Sequence, residues 1–125
     1  MAKRKTITEC KKAVIKRFME SYRGKPCEVC GSTYMTCAHH LIPKGRCIHH
    51  VVSPENIIVL CQKHHTFGGD MAAHSMSALV MDRFIDWVKA SKPEQWAWAE
   101  DHERDNADKC GKIPWRELYE EGAWK

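Results

Sequence analysis

Two pairs of soft metal ligands bracket the middle of the chain, Cys27-x2-Cys30 and Cys61-x2-His64. Zinc takes four nitrogen or sulfur donors in a tetrahedron, and two donors three residues apart reach one ion from a single tight turn. Each pair supplies half of such a site, so a structural zinc on Cys27, Cys30, Cys61 and His64 would staple the ends of the segment between them. A redox Cys-x2-Cys is the rival reading, and the lack of any surrounding βαβ pattern argues against it. A second set of imidazoles lies between and beside the pairs: His39-His40, His49-His50 and His65. His64 and His65 adjoin on a short helical stretch, so their side chains diverge by about 100° and cannot comfortably serve one ion. If His64 closes the staple, His65 points elsewhere. His39 and His40 end a strand just before Pro43, where an ideal strand would face them opposite ways; a site shared by both needs the irregular backbone of a strand end. His49 and His50 read as loop residues able to touch phosphate. His102 reads as a surface residue among acids.

The elements that must position these groups are legible in outline. Thr6-x2-Glu9 has capping-box spacing, and Ile7, Cys10, Val14, Phe18 and Tyr22 recur at three- and four-residue steps until Gly24. That is an amphipathic helix with Lys3, Lys5, Lys12, Lys16 and Arg23 on its wet side. It serves either as a phosphate-facing helix or as a packing helix with lysines for solubility. Residues 32–42 read as a strand, Lys44-Gly45-Arg46 as a loop, Asn56–Leu60 as a second strand, and 61 to about 67 as a short helix cut by Gly68-Gly69. Leu79, Val80, Phe84, Trp87 and Val88 mark a further helix. Pro93 opens another, with Trp96, Ala97, Ala99 and Cys110 as packing candidates and Gly111 as its stop. Residues 114–119 form a last helical turn. Trp87, Trp96 and Trp98 read as core or seam residues rather than base-stacking platforms. Cys10, Cys37, Cys47 and Cys110 read as small buried thiols.

At 125 residues the chain is most simply one domain: a basic N-terminal helix over 1–25, a zinc-stapled core over 26–70 and a helical extension over 71–125. The net charge of +4 is uneven, with nine Lys/Arg against two Glu in residues 1–25 and six against nine Asp/Glu in 91–125. A basic head beside an acidic tail fits a polyanion partner met from the head side. No apolar signal core follows Met1 and no apolar run is long enough to span a bilayer, so the expectation is a cytoplasmic protein with no membrane partner. In a reducing compartment, Cys/His clusters serve metal more readily than disulfides.

Taken together, Cys27-x2-Cys30, then His39-His40-Leu41-Ile42-Pro43, then Glu55-Asn56-Ile57-Ile58-Val59-Leu60-Cys61-x2-His64-His65 resembles the HNH endonuclease family. The resemblance covers residues 27 to about 67. It implies an α+β protein with a ββα-metal core stapled by structural zinc, His64 standing where a fourth Cys is more usual. It implies a metal-dependent endonuclease hydrolysing DNA phosphodiester bonds, with His40 as the general base that activates water. Asn56 would orient the His40 ring and tie the strands together. His39 and His65 would hold a catalytic divalent cation, with His74 a candidate third ligand; two imidazoles suit Mn²⁺, Ni²⁺, Co²⁺ or Zn²⁺ better than Mg²⁺. Lys44, Arg46 and Lys63 flank the site and are the candidates for phosphate contacts with DNA. The stretch from Phe84 to Trp96 is similar to the tails of small phage-type members, implying a bacterial or phage origin. The alternatives are a non-catalytic zinc module that binds nucleic acid and a zinc domain for protein interaction.

Overall fold

The computed structural model describes residues 4–43, 46–65 and 78–125. Lys44, His74 and the side chain of His65 lie outside the described part. Among the described residues there are six helices and one two-stranded antiparallel sheet, so the architecture is a small α+β one.

Helix α1 (Ile7–Glu20) starts where the capping box places it: Thr6 Oγ1 accepts from the Glu9 amide at 3.1 Å, and the Thr6 amide donates to Glu9 Oε2 at 3.2 Å. These bonds satisfy two of the donors that a helix start leaves unpaired. Cys10, Val14 and Phe18, four residues apart, are fully buried. Strands β1 (Cys37–His40) and β2 (Ile57–Leu60) pair with Cys37 opposite Leu60 and His40 opposite Ile57. All four residues of β2 are buried because both faces of the sheet are covered. Ile57 joins Ala38 and Phe18 on the α1 side, while Ile58 and Leu60 pack with Phe84 and Val88 of α3 (Ala78–Ser91). Each such side chain stabilises the fold by about 1.5–3 kcal/mol through apolar burial. Helix α4 (Pro93–His102) lies across the outer edge of β2, where Gln95 Nε2 donates to the carbonyls of Ile57 at 2.7 Å and Glu55 at 2.8 Å. That side chain occupies acceptors that would otherwise invite another strand.

The strand expected over 32–42 is four residues long, because the preceding stretch belongs to the turn around Cys27–Ser32 and to an exposed tip at Tyr34 and Met35, where Met35 has φ +50°. The single helix expected from Pro93 to Gly111 is broken in two. Asn106 caps a new short helix, α5 (Ala107–Cys110), by accepting from the Lys109 amide, and Asp105 turns inward. Cys110 is exposed, not a buried thiol; Cys10 and Cys47 are buried. Helix α6 (Trp115–Glu120) packs on α1, with the Arg17 guanidinium over the Tyr119 ring and donating to its carbonyl at 3.2 Å. Lys5 and Lys11 also lie over aromatic rings of α6, whereas Lys12, Lys16 and Arg23 stay exposed. Part of the basic head therefore serves packing. Trp87 and Trp96 pack against the core around Phe84, and Trp98 against Ile42, Cys47 and Ala99. No helix among the described residues is long and apolar enough to cross a membrane.

Candidate metal centre and histidine site

The two ligand pairs meet because β2 leads directly into one of them and carries the other on its edge. Cys61 follows Leu60, and the His64 amide donates back to the Cys61 carbonyl at 3.1 Å at the start of α2 (Gln62–His65). The Cys27 turn closes through Gly31 N to Cys27 O and Cys27 N to Ser32 O, both 2.8 Å, with Gly31 at φ +77°. Glu28 then docks this turn on β2, donating from its amide to the Val59 carbonyl at 2.9 Å and accepting the Val59 amide on its carboxylate.

The resulting donor atoms of Cys27, Cys30, Cys61 and His64 all lie within 4.8 Å of one another. Cys30 Sγ to Cys61 Sγ is 3.7 Å, and His64 Nδ1 is 3.2 Å from Cys61 Sγ and 3.9 Å from Cys27 Sγ. With Zn–S near 2.3 Å and Zn–N near 2.0 Å, a tetrahedron has edges of about 3.7 Å between sulfurs and about 3.5 Å between sulfur and nitrogen. The observed separations bracket those edges, so a Cys3His donor set fits zinc. Two of its donors lean the same way, while for Cys30 the Ser32 amide's lowering is outweighed by burial and the neighbouring Cys61 and Cys27 thiols, which leave it above its ordinary value. Burial raises the Cys27 thiol, but the amides of Cys61, Cys30 and Val29 together bring it below its ordinary value. Burial and then Lys63 lower His64, favouring the neutral imidazole that binds metal.

At the end of β1 the two adjacent histidines leave the strand on opposite faces, as alternation requires in a regular strand. His39 is 8% exposed and stands edge-on to the Phe84 ring at 5.4 Å between centroids. His40 directs Nε2 to the Val51 carbonyl at 2.7 Å. A carbonyl only accepts, so Nε2 carries the hydrogen and the neutral ring has its lone pair on Nδ1. The loop supplying that carbonyl is held by Asn56, which is fully buried. Asn56 Oδ1 accepts from the Ile42 amide at 2.7 Å, and Nδ2 donates to the carbonyls of Ile42 and His50, both at 3.0 Å. Asn56, just before β2, thus bonds to Ile42 beyond the end of β1 and to the His50 turn, and none of these hydrogen bonds goes to the His40 ring. Its bonding capacity goes to backbone, and the His40 ring is held by Val51 instead.

Of the expected phosphate contacts, Lys63 is exposed on α2, while Arg46 is paired with Glu103 at 3.3 Å. An exposed pair of that kind is worth about 0–1 kcal/mol, so Arg46 can exchange it for phosphate at little cost. A second cluster was not foreseen. His50 and His102 are neither a free loop residue nor a lone surface residue. Both put a ring nitrogen on Asp105 Oδ2, at 2.8 and 2.6 Å, and Lys109 Nζ meets Oδ1 at 2.9 Å. Hydrogen bonds from Lys109, then His50 and His102, hold the Asp105 carboxyl well below the usual carboxylate range. The spacing His102-x2-Asp105-x3-Lys109 was a readable local signal; the partnership with His50 was not. Comparison with protein-family models, with curated proteins and with solved structures finds no match to this chain.

Proposed function

We propose that the chain is a metal-dependent endonuclease of the HNH type that hydrolyses DNA phosphodiester bonds, with His40 as general base. The observation that carries this reading is the His40–Val51 hydrogen bond. It supports one tautomer, with Nδ1 as the basic nitrogen, on a ring fixed at a strand end. Phosphodiester hydrolysis needs a base for the attacking water, and an imidazole titrating near neutrality provides about 10²–10⁴-fold. The family resemblance divides the pair into a ligand, His39, and a base, His40; because the two rings leave β1 on opposite faces, joint action on one phosphate requires the strand end to bend when substrate and ion bind. His39 with His65 would hold a divalent cation whose charge, when bound, neutralises the phosphate and the leaving alkoxide. Asn56 and Val51 keep the base in place, and the Cys27, Cys30, Cys61 and His64 staple holds β2 and the start of α2 against the turn that precedes β1. Lys63, Arg46 and the exposed Lys12, Lys16 and Arg23 are the groups that would meet the DNA backbone.

Conversion of supercoiled plasmid by the zinc-loaded protein, titrated with Mn²⁺, Ni²⁺, Co²⁺ or Mg²⁺, tests the proposal. Nicking that needs added ion and declines as salt rises is expected. DNA binding with no cleavage under any ion would identify a non-catalytic zinc module instead.

A further inference from the structure

The cluster around Asp105 lies outside both sites described above, yet it grips the same loop. Asp105 sits between α4 and α5 with its side chain only 3% exposed. Its donor atoms, with those of His50 and Cys110, come within 4.8 Å of one another, which invites a metal-site reading. Distance decides against it. Bonds near 2.0–2.1 Å would set nitrogen and oxygen ligands about 3.3 Å apart on a tetrahedral ion. The two imidazole nitrogens are 2.8 and 2.6 Å from Asp105 Oδ2, which are hydrogen-bond lengths. The ammonium of Lys109, which has no lone pair to give a metal, takes the other oxygen. The cluster is a proton-bonded clamp.

What it clamps is the short turn Ile48–His50 that leads into Val51. The backbone bond that closes its C-terminal end, Val51 N to Ile48 O, is long at 3.2 Å. The His50 ring fastens it from both nitrogens, with Nδ1 on Ser53 Oγ at 3.0 Å and Nε2 on Asp105. The buried thiol of Cys47, at the turn's start, donates to the Asp105 carbonyl at 3.2 Å. Asp105 therefore holds this segment by its side chain and by its backbone, and the next residue along presents the carbonyl that holds His40.

We infer that Asp105 is a positioning residue for His40, acting through the His50 ring and the Val51 carbonyl. This rests on the nuclease reading above for its catalytic consequence, but not for its structural one. Displacing a reacting group by about 1 Å costs on the order of 100-fold in rate, so a small shift of the carbonyl registers as activity.

The test uses the full chain, zinc-loaded and ¹⁵N-labelled, as wild type and as Asp105→Asn and His50→Gln. Expected in both variants is unchanged zinc content, loss or fast exchange of the His40 Nε2–H signal, and plasmid nicking reduced on the order of 10- to 100-fold in kcat with KM for DNA unchanged. Two variants cut the link from opposite sides, so failure of one to fold leaves the other to decide. A folded variant that keeps the wild-type His40 signal overturns the inference, as does a second zinc equivalent lost on mutation. If His40→Ala nicks as fast as wild type, the assignment of the general base to His40 falls, while the Nε2–H signal still decides whether Asp105 holds the ring.

Discussion

Replacing Asn56 by Asp conserves its shape and removes its ability to donate. The wild-type side chain is fully buried and makes three hydrogen bonds to backbone. After Asn56→Asp, the Ile42 amide still finds an acceptor, but the carbonyls of Ile42 and His50 lose their donor and face an anion. Each buried polar group left unpaired costs about 1–3 kcal/mol, so the loss is at least about 2 and centres near 4 kcal/mol. Asn56→Ala abandons all three groups and opens a cavity, for at least about 3 kcal/mol on the same count. The two variants differ in their dependence on pH. Burial disfavours the charged form of the new carboxyl and raises its pKa in the folded state, and protonation restores one donor. The destabilisation of Asn56→Asp therefore grows as pH rises through and above the ordinary carboxylate value, while that of Asn56→Ala stays flat. Urea unfolding with zinc saturating, at pH 5.5 and 7.5 (about one and a half and three and a half units above that ordinary value), reads both. A loss below about 1 kcal/mol for Asn56→Asp would mean that the loop does not depend on those two donated bonds.

The metal staple predicts about one zinc per chain by elemental analysis, abolished by Cys30→Ser or Cys61→Ser. Chelation should cost much of the fold's stability, since structural zinc sites contribute about 10 kcal/mol or more in small domains. Phe84→Ala, at a site 4% exposed beneath Ile58 and Leu60, should cost about 3–5 kcal/mol in a denaturant melt. For Asp105, whose pKa is depressed in the folded protein, the stabilisation is present above the ordinary carboxylate value and lost as pH falls from there towards the lowered one. The gap in urea midpoint between wild type and Asp105→Asn should thus be widest near neutrality and close in acid.

The parts of the fold that could be read in the sequence are those fixed by local rules. Thr6 and Glu9 announced the helix start because a capping box depends only on residues three apart. Cys27, Cys30, Cys61 and His64 announced their cluster because ligand spacing is a local consequence of turn geometry. Trp87, Trp96 and Trp98 fell half-buried against the core because large apolar surface is costly to expose. What escaped depended on the path of the chain. Nothing near Asn56 in sequence says that its donors would meet Ile42 and His50 rather than the His40 ring. The break in the helix after His102 was hidden because its cause, Asp105 turning to His50, lies 55 residues away. Strand β1 came out short because β-prone residues such as Thr33 and Tyr34 went to a turn, which propensity alone cannot separate from a strand end.

The most direct measurement is the nicking rate of His40→Ala, first shown to be folded and to hold its zinc, beside wild type under the most active divalent ion. A fall of about 10²-fold or more, with DNA binding unchanged, is the expected result for a lost general base. Metal-dependent nicking at the wild-type rate in that variant would contradict the assignment of the chemistry to His40.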